Sequence, residues 1–201
     1  MLENIKTFID YYKTFISALF AGLCISIGCI VNLMVDGGIA GAVLFTFGLI
    51  TVVHYRYYLY TGTAGFVNDL PSVIKLFLIV LIGNIVGCII TSLAIRYAIP
   101  ELVEKANAIV DQRNSVDIWQ AGIRGIFCGY LMTTAVEFAR KEKWLPLLFA
   151  VPVFILAGFY HSIADAFYIS LSNNIEYCTI WNYIFIVLGN FIGCNLYRAR
   201  K

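Results

Sequence analysis

Charge is scarce in this chain of 201 residues: Asp, Glu, Lys and Arg make up 13%, against 61% hydrophobic residues. A water-soluble domain of this length needs far more charge to cover its surface, so the main solvent of the chain is lipid. The net charge is only +2 and no basic cluster is interleaved with aromatics, which excludes a nucleic-acid partner. No C-x-x-C occurs among the six cysteines. Cys24, Cys29, Cys88, Cys128 and Cys194 lie inside apolar runs and Cys178 near the start of one, so they read as small buried residues, not as disulfides or a metal site. Also missing are G-x-S-x-G, H-E-x-x-H, paired membrane aspartates and a phosphate-binding glycine loop. His161 and Ser162 are adjacent in sequence, which is not the geometry of a nucleophile and its base. The expectation is therefore a protein that is not an enzyme and holds no cofactor. Glu3, Lys6, Asp10 and Lys13 precede the first apolar run, and no small-residue cleavage site follows it, so that run is expected to remain as a span.

What the chain does have is apolar runs long enough to cross a bilayer, for which about 20 residues are needed. Six are expected, at about Thr14–Val35, Gly38–Tyr60, Ser72–Ile99, Ile118–Phe138, Leu145–Leu171 and Thr179–Tyr197. The connections are Asp36-Gly37-Gly38, Asn68-Asp69-Leu70-Pro71, Pro100 to Asp117, Arg140 to Lys143, and Ser172-Asn173-Asn174. A cytoplasmic N-terminus would put Lys6, Lys13, Lys75, Arg140, Lys141, Lys143, Arg198, Arg200 and Lys201 inside, and only Lys105 and Arg113 outside. By the positive-inside rule both termini face the cytoplasm, and a plasma-membrane location is expected. Trp119, Trp144 and Trp181 stand near span ends, where interfacial anchors belong.

The second and fifth spans are interrupted. The second runs from Gly48-Leu49-Ile50 into His54-Tyr55-Arg56-Tyr57-Tyr58, and the fifth contains Pro146, Pro152 and Gly158 before His161, Ser162 and Asp165. Irregular backbone at membrane depth must be buried in protein or line a wet cavity, because lipid cannot satisfy its amides. Two such spans at matching places point to a solute path between two repeats. Gly83-Asn84-Ile85-Val86-Gly87-Cys88 and Gly189-Asn190-Phe191-Ile192-Gly193-Cys194 share G-N-x-x-G-C. Three spans per half make the second half inverted relative to the first. The fold expected is all-α, one transmembrane domain over residues 1–201, with repeats at about 14–99 and 118–197. The motif suits close G-x-x-x-G packing with an interhelical hydrogen bond from its Asn.

Four stretches carry a resemblance. Phe45-Thr46-Phe47-Gly48-Leu49-Ile50 followed by Leu59-Tyr60-Thr61-Gly62, Arg124-Gly125-Ile126-Phe127-Cys128, Gly158-Phe159-Tyr160-His161-Ser162-Ile163-Ala164-Asp165, and Leu188-Gly189-Asn190-Phe191-Ile192-Gly193 fall in order on the second, fourth, fifth and sixth spans. In this arrangement the chain resembles the formate/nitrite transporter family of pentameric anion channels, over about Phe15 to Tyr197. The resemblance implies an aquaporin-like architecture and a homopentamer in the bilayer. Each protomer would hold a pore in which apolar constrictions flank a chamber holding His161. It assigns Leu49 and Phe154 to the cytoplasmic-side constriction, Phe45 to a further aromatic position, and Leu59, Tyr60 and Thr61 to the loop that interrupts the second span, with Thr61 facing the histidine. The permeants implied are small monovalent anions of weak acids such as formate, nitrite, hydrosulfide, acetate or lactate, accompanied by protons.

Departures from the family pattern raise their own questions. Gly129 stands where the family has Asn, and Arg113 where it has an anion-attracting Lys sixteen residues earlier. Thr63 and Asp165 each replace an Asn, and Arg56, Tyr57 and Tyr58 replace small residues. Asp165 is one turn beyond His161, within reach of the ring if the segment is helical. Either it partners the histidine, or it caps amides or pairs with a cation elsewhere. Arg56 either lines an anion vestibule, snorkels, or pairs with an acid such as Asp165 or Glu137; Arg113 either attracts anions or is a solvated charge. Arg124 reads as structural. An unperturbed imidazole titrates near pH ~6.5, so His161 can exchange a proton with a weak acid, which then crosses apolar constrictions as a neutral species. The rival reading is a neutral-solute channel of the aquaporin type, although the paired Asn-Pro-Ala signature of that class is absent.

Overall fold

A computed structural model describes the backbone of residues 2–63 and 70–196, with side chains omitted at 2–9 and 70–74. Lys6, the Asn68-Asp69 part of one connection, and Arg198, Arg200 and Lys201, which entered the orientation argument, lie outside the described side chains. The described residues form nine helices: α1 (Leu2–Met34), α2 (Gly38–His54), α3 (Tyr60–Thr63), α4 (Leu70–Ala98), α5 (Leu102–Asn114), α6 (Ile118–Arg140), α7 (Leu145–Leu156), α8 (Ser162–Leu171) and α9 (Tyr177–Leu196). Three stretches, Asp10–Met34, Lys75–Ala98 and Tyr177–Leu196, are each long and apolar enough to cross a membrane. The protein is an integral membrane protein.

The two expected interruptions are real breaks with a common construction. α2 ends on a pair of backbone bonds, Tyr57 N to Val52 O and Arg56 N to Val53 O. α7 ends on the equivalent pair, Phe159 N to Phe154 O and Gly158 N to Ile155 O. Each is a Schellman motif, which needs one residue in the left-handed region just past the helix end. Gly158 fills that place in α7 with φ +70°, and Arg56 fills it in α2 with φ +57°. A non-glycine residue there is disfavoured by Cβ sterics. The break between α7 and α8 falls at Gly158 and not at Pro152, which lies inside continuous α7.

The G-N-x-x-G-C motifs hold these breaks. Asn84 Nδ2 donates to Ala18 O (2.7 Å) and Tyr58 O (2.9 Å), and its Oδ1 accepts from Tyr60 N (2.8 Å). Asn190 Nδ2 donates to Gly125 O (2.8 Å) and Tyr160 O (2.9 Å), and its Oδ1 accepts from Ser162 N (2.8 Å). Each Asn thus ties a continuous helix to the carbonyl and amide that flank a break. The glycines allow the approach: a Cβ on Gly87 would stand 2.2 Å from Leu19 O, and one on Gly193 2.0 Å from Ile126 O. α4 therefore lies against α1, and α9 against α6.

One element departs from expectation. The stretch from Pro100 to Asp117, read as a connection, contains α5. Leu102, Ala106 and Val110 recur every four residues and are all buried, while its polar face ties neighbouring ends together. Lys105 Nζ donates to Leu33 O (2.9 Å) and pairs with Asp36 (2.6 Å), and Asn107 Oδ1 accepts from Ser172 Oγ and Asn173 N. α5 consequently lies across the end of α8.

Candidate functional site

His161 is the residue on which α8 begins. Its φ and ψ (−104°, 111°) are extended, and its Nδ1 accepts the backbone N–H of Ala164 at 3.2 Å, an N-cap made by an imidazole. An N–H donor at Nδ1 fixes the neutral tautomer: the ring proton is on Nε2. That nitrogen lies 3.0 Å from Thr61 Oγ1, on α3 in the other half of the chain. Thr61 O is in turn fixed by Cys194 Sγ (3.0 Å) and Thr133 Oγ1 (3.4 Å). Cys88 Sγ reaches Ile163 O at 3.3 Å in the mirrored way. The two breaks therefore meet, with His161 and Leu59 in equivalent positions, each one residue before the amide that its Asn holds.

Two cavities flank this meeting point. One, of about 270 Å³, is lined by Asn32, Phe45, Arg113, Phe154, His161, Asp165 and Tyr168 among others. The other, of about 790 Å³, is lined by Leu49, His54, Arg56, Leu59, Thr63, Arg140 and Glu142 among others. Phe154 stacks on the His161 ring (centroids 5.7 Å, 29° between planes) and meets Phe45 edge-on at 5.9 Å. Phe45, Phe154, Leu49 and Leu59 are all buried. The grouping of Leu49 with Phe154 as one constriction is not what the structure shows. Phe154 lies with Phe45 on the α5 side of the histidine, whereas Leu49 lines the opposite cavity with Leu59. The reason is the helix repeat, which separates Phe45 from Leu49 by about one turn along α2.

The charged candidates sort differently from the sequence reading. Asp165 does lie one turn beyond His161 and lines its cavity, but its partner is Arg113, Nε to Oδ1 at 3.0 Å. The histidine's two nitrogens are already occupied by Ala164 N and Thr61 Oγ1, so Asp165 is not its hydrogen-bond partner. Asp165 Oδ2 is buried and has no hydrogen-bond partner among the described residues. Arg113 is not a solvated loop charge: its side chain is 15% exposed and its guanidinium lies 4.0 Å over the Tyr160 ring. Burial pulls the Arg113 guanidinium down, but the Asp165 carboxylate, together with Tyr160 and Tyr168, offsets that and holds it above its usual range. Arg124 Nη1 donates to Tyr160 OH at 2.8 Å, a phenol where a carbonyl or an acid was the expected partner. Arg56 lines the larger cavity, remote from Asp165, and Glu137 pairs instead with Lys141 (3.4 Å).

Gly129, where an Asn was expected, has no room for any side chain, since a Cβ there would stand 2.3 Å from Asn190 O. Its place is in the α6–α9 contact and not on either cavity, so it offers no selectivity contact. Reading the sequence alone missed the N-cap role of His161 and the cover that α5 provides. An apolar residue every fourth position in α5 was the available signal.

The formate/nitrite transporter family's sequence profile matches residues 3–198. No curated protein sequence matches the chain. Among solved structures, a pentameric formate channel with formate bound is similar with a TM-score of 0.85, at 23% identity and with 95% of each chain covered. An FNT family ion channel is similar with a TM-score of 0.80 at 17% identity, with 98% of this chain and 89% of that chain covered. At these identities the structural likeness speaks for the fold.

Proposed function

The chain belongs to the formate/nitrite transporter family, and from that premise we propose that it is a channel for small monovalent anions of weak acids. Formate, nitrite and hydrosulfide are the leading candidates. The observation that carries the reading is His161 held at the meeting of two helix breaks, hydrogen-bonded to Thr61 and flanked by a cavity on each side. The chain would cross the membrane six times as two inverted three-helix repeats, with α2–α3 and α7–α8 each making one interrupted span. The matched bonds of Asn84 and Asn190 and the paired Schellman breaks support that duplication. Both termini would face the cytoplasm of a plasma membrane, and five copies would assemble, each with its own pore.

In this reading Phe45 and Phe154 restrict the path on the α5 side, and Leu49 and Leu59 on the other, by walls too apolar for a hydrated anion. The permeant meets Nε2–H of His161 in place of the Thr61 hydroxyl. Nδ1 is engaged with Ala164 N, so a second proton on the ring needs that cap to open. Proton exchange at the histidine is therefore coupled to the first turn of α8. Arg56 gives the larger cavity positive charge to draw anions from that side.

The test is flux in liposomes. Formate, nitrite and hydrosulfide fluxes are compared across a pH series for the wild type, His161→Asn and His161→Ala. Asparagine keeps an N-cap acceptor but cannot titrate, so it should retain the fold and lose the pH dependence of the maximal flux. Unchanged flux and pH dependence in both variants would sink the histidine's role. Flow of water or glycerol without anions would sink the anion reading.

A further inference from the structure

We propose that Asp165 is a second proton-exchange site: it takes the proton of an incoming weak acid and yields its place on Arg113 to the resulting anion. The inference rests on the channel reading above. It starts from an unequal carboxylate, 1% exposed and bordering the smaller cavity with His161. One oxygen, Oδ1, is held by Arg113 Nε at 3.0 Å, while the other, Oδ2, is without a hydrogen-bond partner among the described residues. A buried anion normally has its oxygens satisfied, so an unpartnered carboxylate oxygen on a residue that lines a cavity marks a place for a donor.

The groups around it leave few alternatives. α5 contributes Arg113, α1 Cys29, α6 Cys128 and α9 Tyr183, and α8 itself contributes His161 and Tyr168. α4 brings Cys88 to the neighbouring Ile163. Of these, Arg113 is a permanent cation and the thiols and phenols keep their protons at neutral pH. His161 has its proton on Nε2 and its Nδ1 lone pair committed to Ala164 N. Oδ2 of Asp165 is thus the free proton acceptor among these groups.

The step balances in atoms and charge. The acid's O–H bond breaks, an O–H bond forms at Asp165 Oδ2, and the anion takes the Arg113 N–H that Oδ1 had accepted. The cavity carries no net charge before the step, with carboxylate and guanidinium paired, and none after it. In the reverse step Asp165 returns the proton as the anion leaves, and the pair closes again. With no acid bound the pair is self-neutralised and holds anions weakly. Lower pH then tightens anion binding without adding net charge to a buried site.

The full-length protein is tested in liposomes by formate flux against formate concentration at about pH 5 and about pH 7.5, a range that lies above ordinary carboxyl titration and spans that of imidazole. In the wild type the half-saturating concentration should fall with pH, by at most about tenfold per pH unit for one linked proton. Asp165→Asn leaves Arg113 uncompensated, so half-saturation should be low and flat with pH. The double variant Arg113→Gln/Asp165→Asn should be high and flat. An Asp165→Asn profile that tracks the wild type overturns the proposal, and a merely structural ion pair would give that result with lowered thermal stability. If Asp165→Asn does not fold, infrared difference spectra of the wild type decide. Isotopically labelled formate should raise a protein carboxylic-acid C=O band, and its absence overturns the proposal. A wild type that conducts no small anion fails the channel reading itself. One that conducts through His161 but ignores Asp165 fails only this inference.

Discussion

Replacing Asn190 with Leu tests how the fold positions His161. Leucine shares asparagine's branching but is bulkier, so the α6–α9 contact loses no packing and any crowding of the new methyls adds to the loss. What it loses is the pair of hydrogen bonds that satisfy Tyr160 O (2.9 Å) and Ser162 N (2.8 Å), the backbone groups on either side of the histidine. Asn190 is fully buried, and neither backbone group has another protein partner among the described residues. Gly125 O, its third partner, keeps an intrahelical donor because α6 is continuous. Orphaning a buried polar group costs about 1–3 kcal/mol, so two put the loss at about 2–6 kcal/mol. At about 2–4 °C per kcal/mol for a chain of this size, the midpoint should fall by roughly 4–24 °C. Thermal unfolding of detergent-solubilised protein, followed by loss of the monodisperse chromatographic peak, reads that shift. Anion flux should fall alongside, because the N-cap geometry of His161 depends on both groups. A variant with an unmoved midpoint and unaltered flux would refute the claim that Asn190 holds the break.

Asn84→Leu removes the same bonds from Tyr58 O and Tyr60 N, and should produce a comparable drop in the same unfolding measurement. Gly189→Ala should be poorly tolerated, since its Cβ would stand 2.2 Å from Gly122 O. Gly122→Ala should cost little by the same readout, because its nearest contact is 3.6 Å. Arg56→Gly relieves a left-handed residue at φ +57° and should raise the midpoint, by roughly 1 kcal/mol of stability, while weakening anion entry from the larger cavity. Arg113→Gln strands the buried Asp165 carboxylate and should cost about 3–5 kcal/mol, and the further change Asp165→Asn should recover much of it. A double-mutant cycle on unfolding midpoints checks that coupling.

Much of this arrangement was legible from local chemistry. Gly158 within an apolar stretch announced a break, and G-N-x-x-G-C in two places announced two close helix contacts. Both signals are local: a left-handed residue and a small-residue stripe act through their own backbone. Arg56 was opaque because nothing about an arginine advertises positive φ; only the matching pairs of backbone bonds at the two breaks show the shared Schellman geometry. Asp165 was opaque for another reason. Its position one turn past His161 was evident, but its partner is 52 residues away on a helix read as a connection.

The sequence by itself determined the solvent, the apolar runs and the two runs that are interrupted, because composition, run length and a glycine's left-handed freedom act over a few residues. It also determined the family, through four stretches in a set order. Only the tertiary structure decided how the charges combine and which wall each apolar residue joins. Hydrogen bonds and ion pairs are made between side chains brought together by helix packing, and a buried carboxylate takes whichever cation the packing delivers. Here α5, laid across the end of α8, delivers Arg113 to Asp165, and the meeting of α3 with α8 delivers Thr61 to His161.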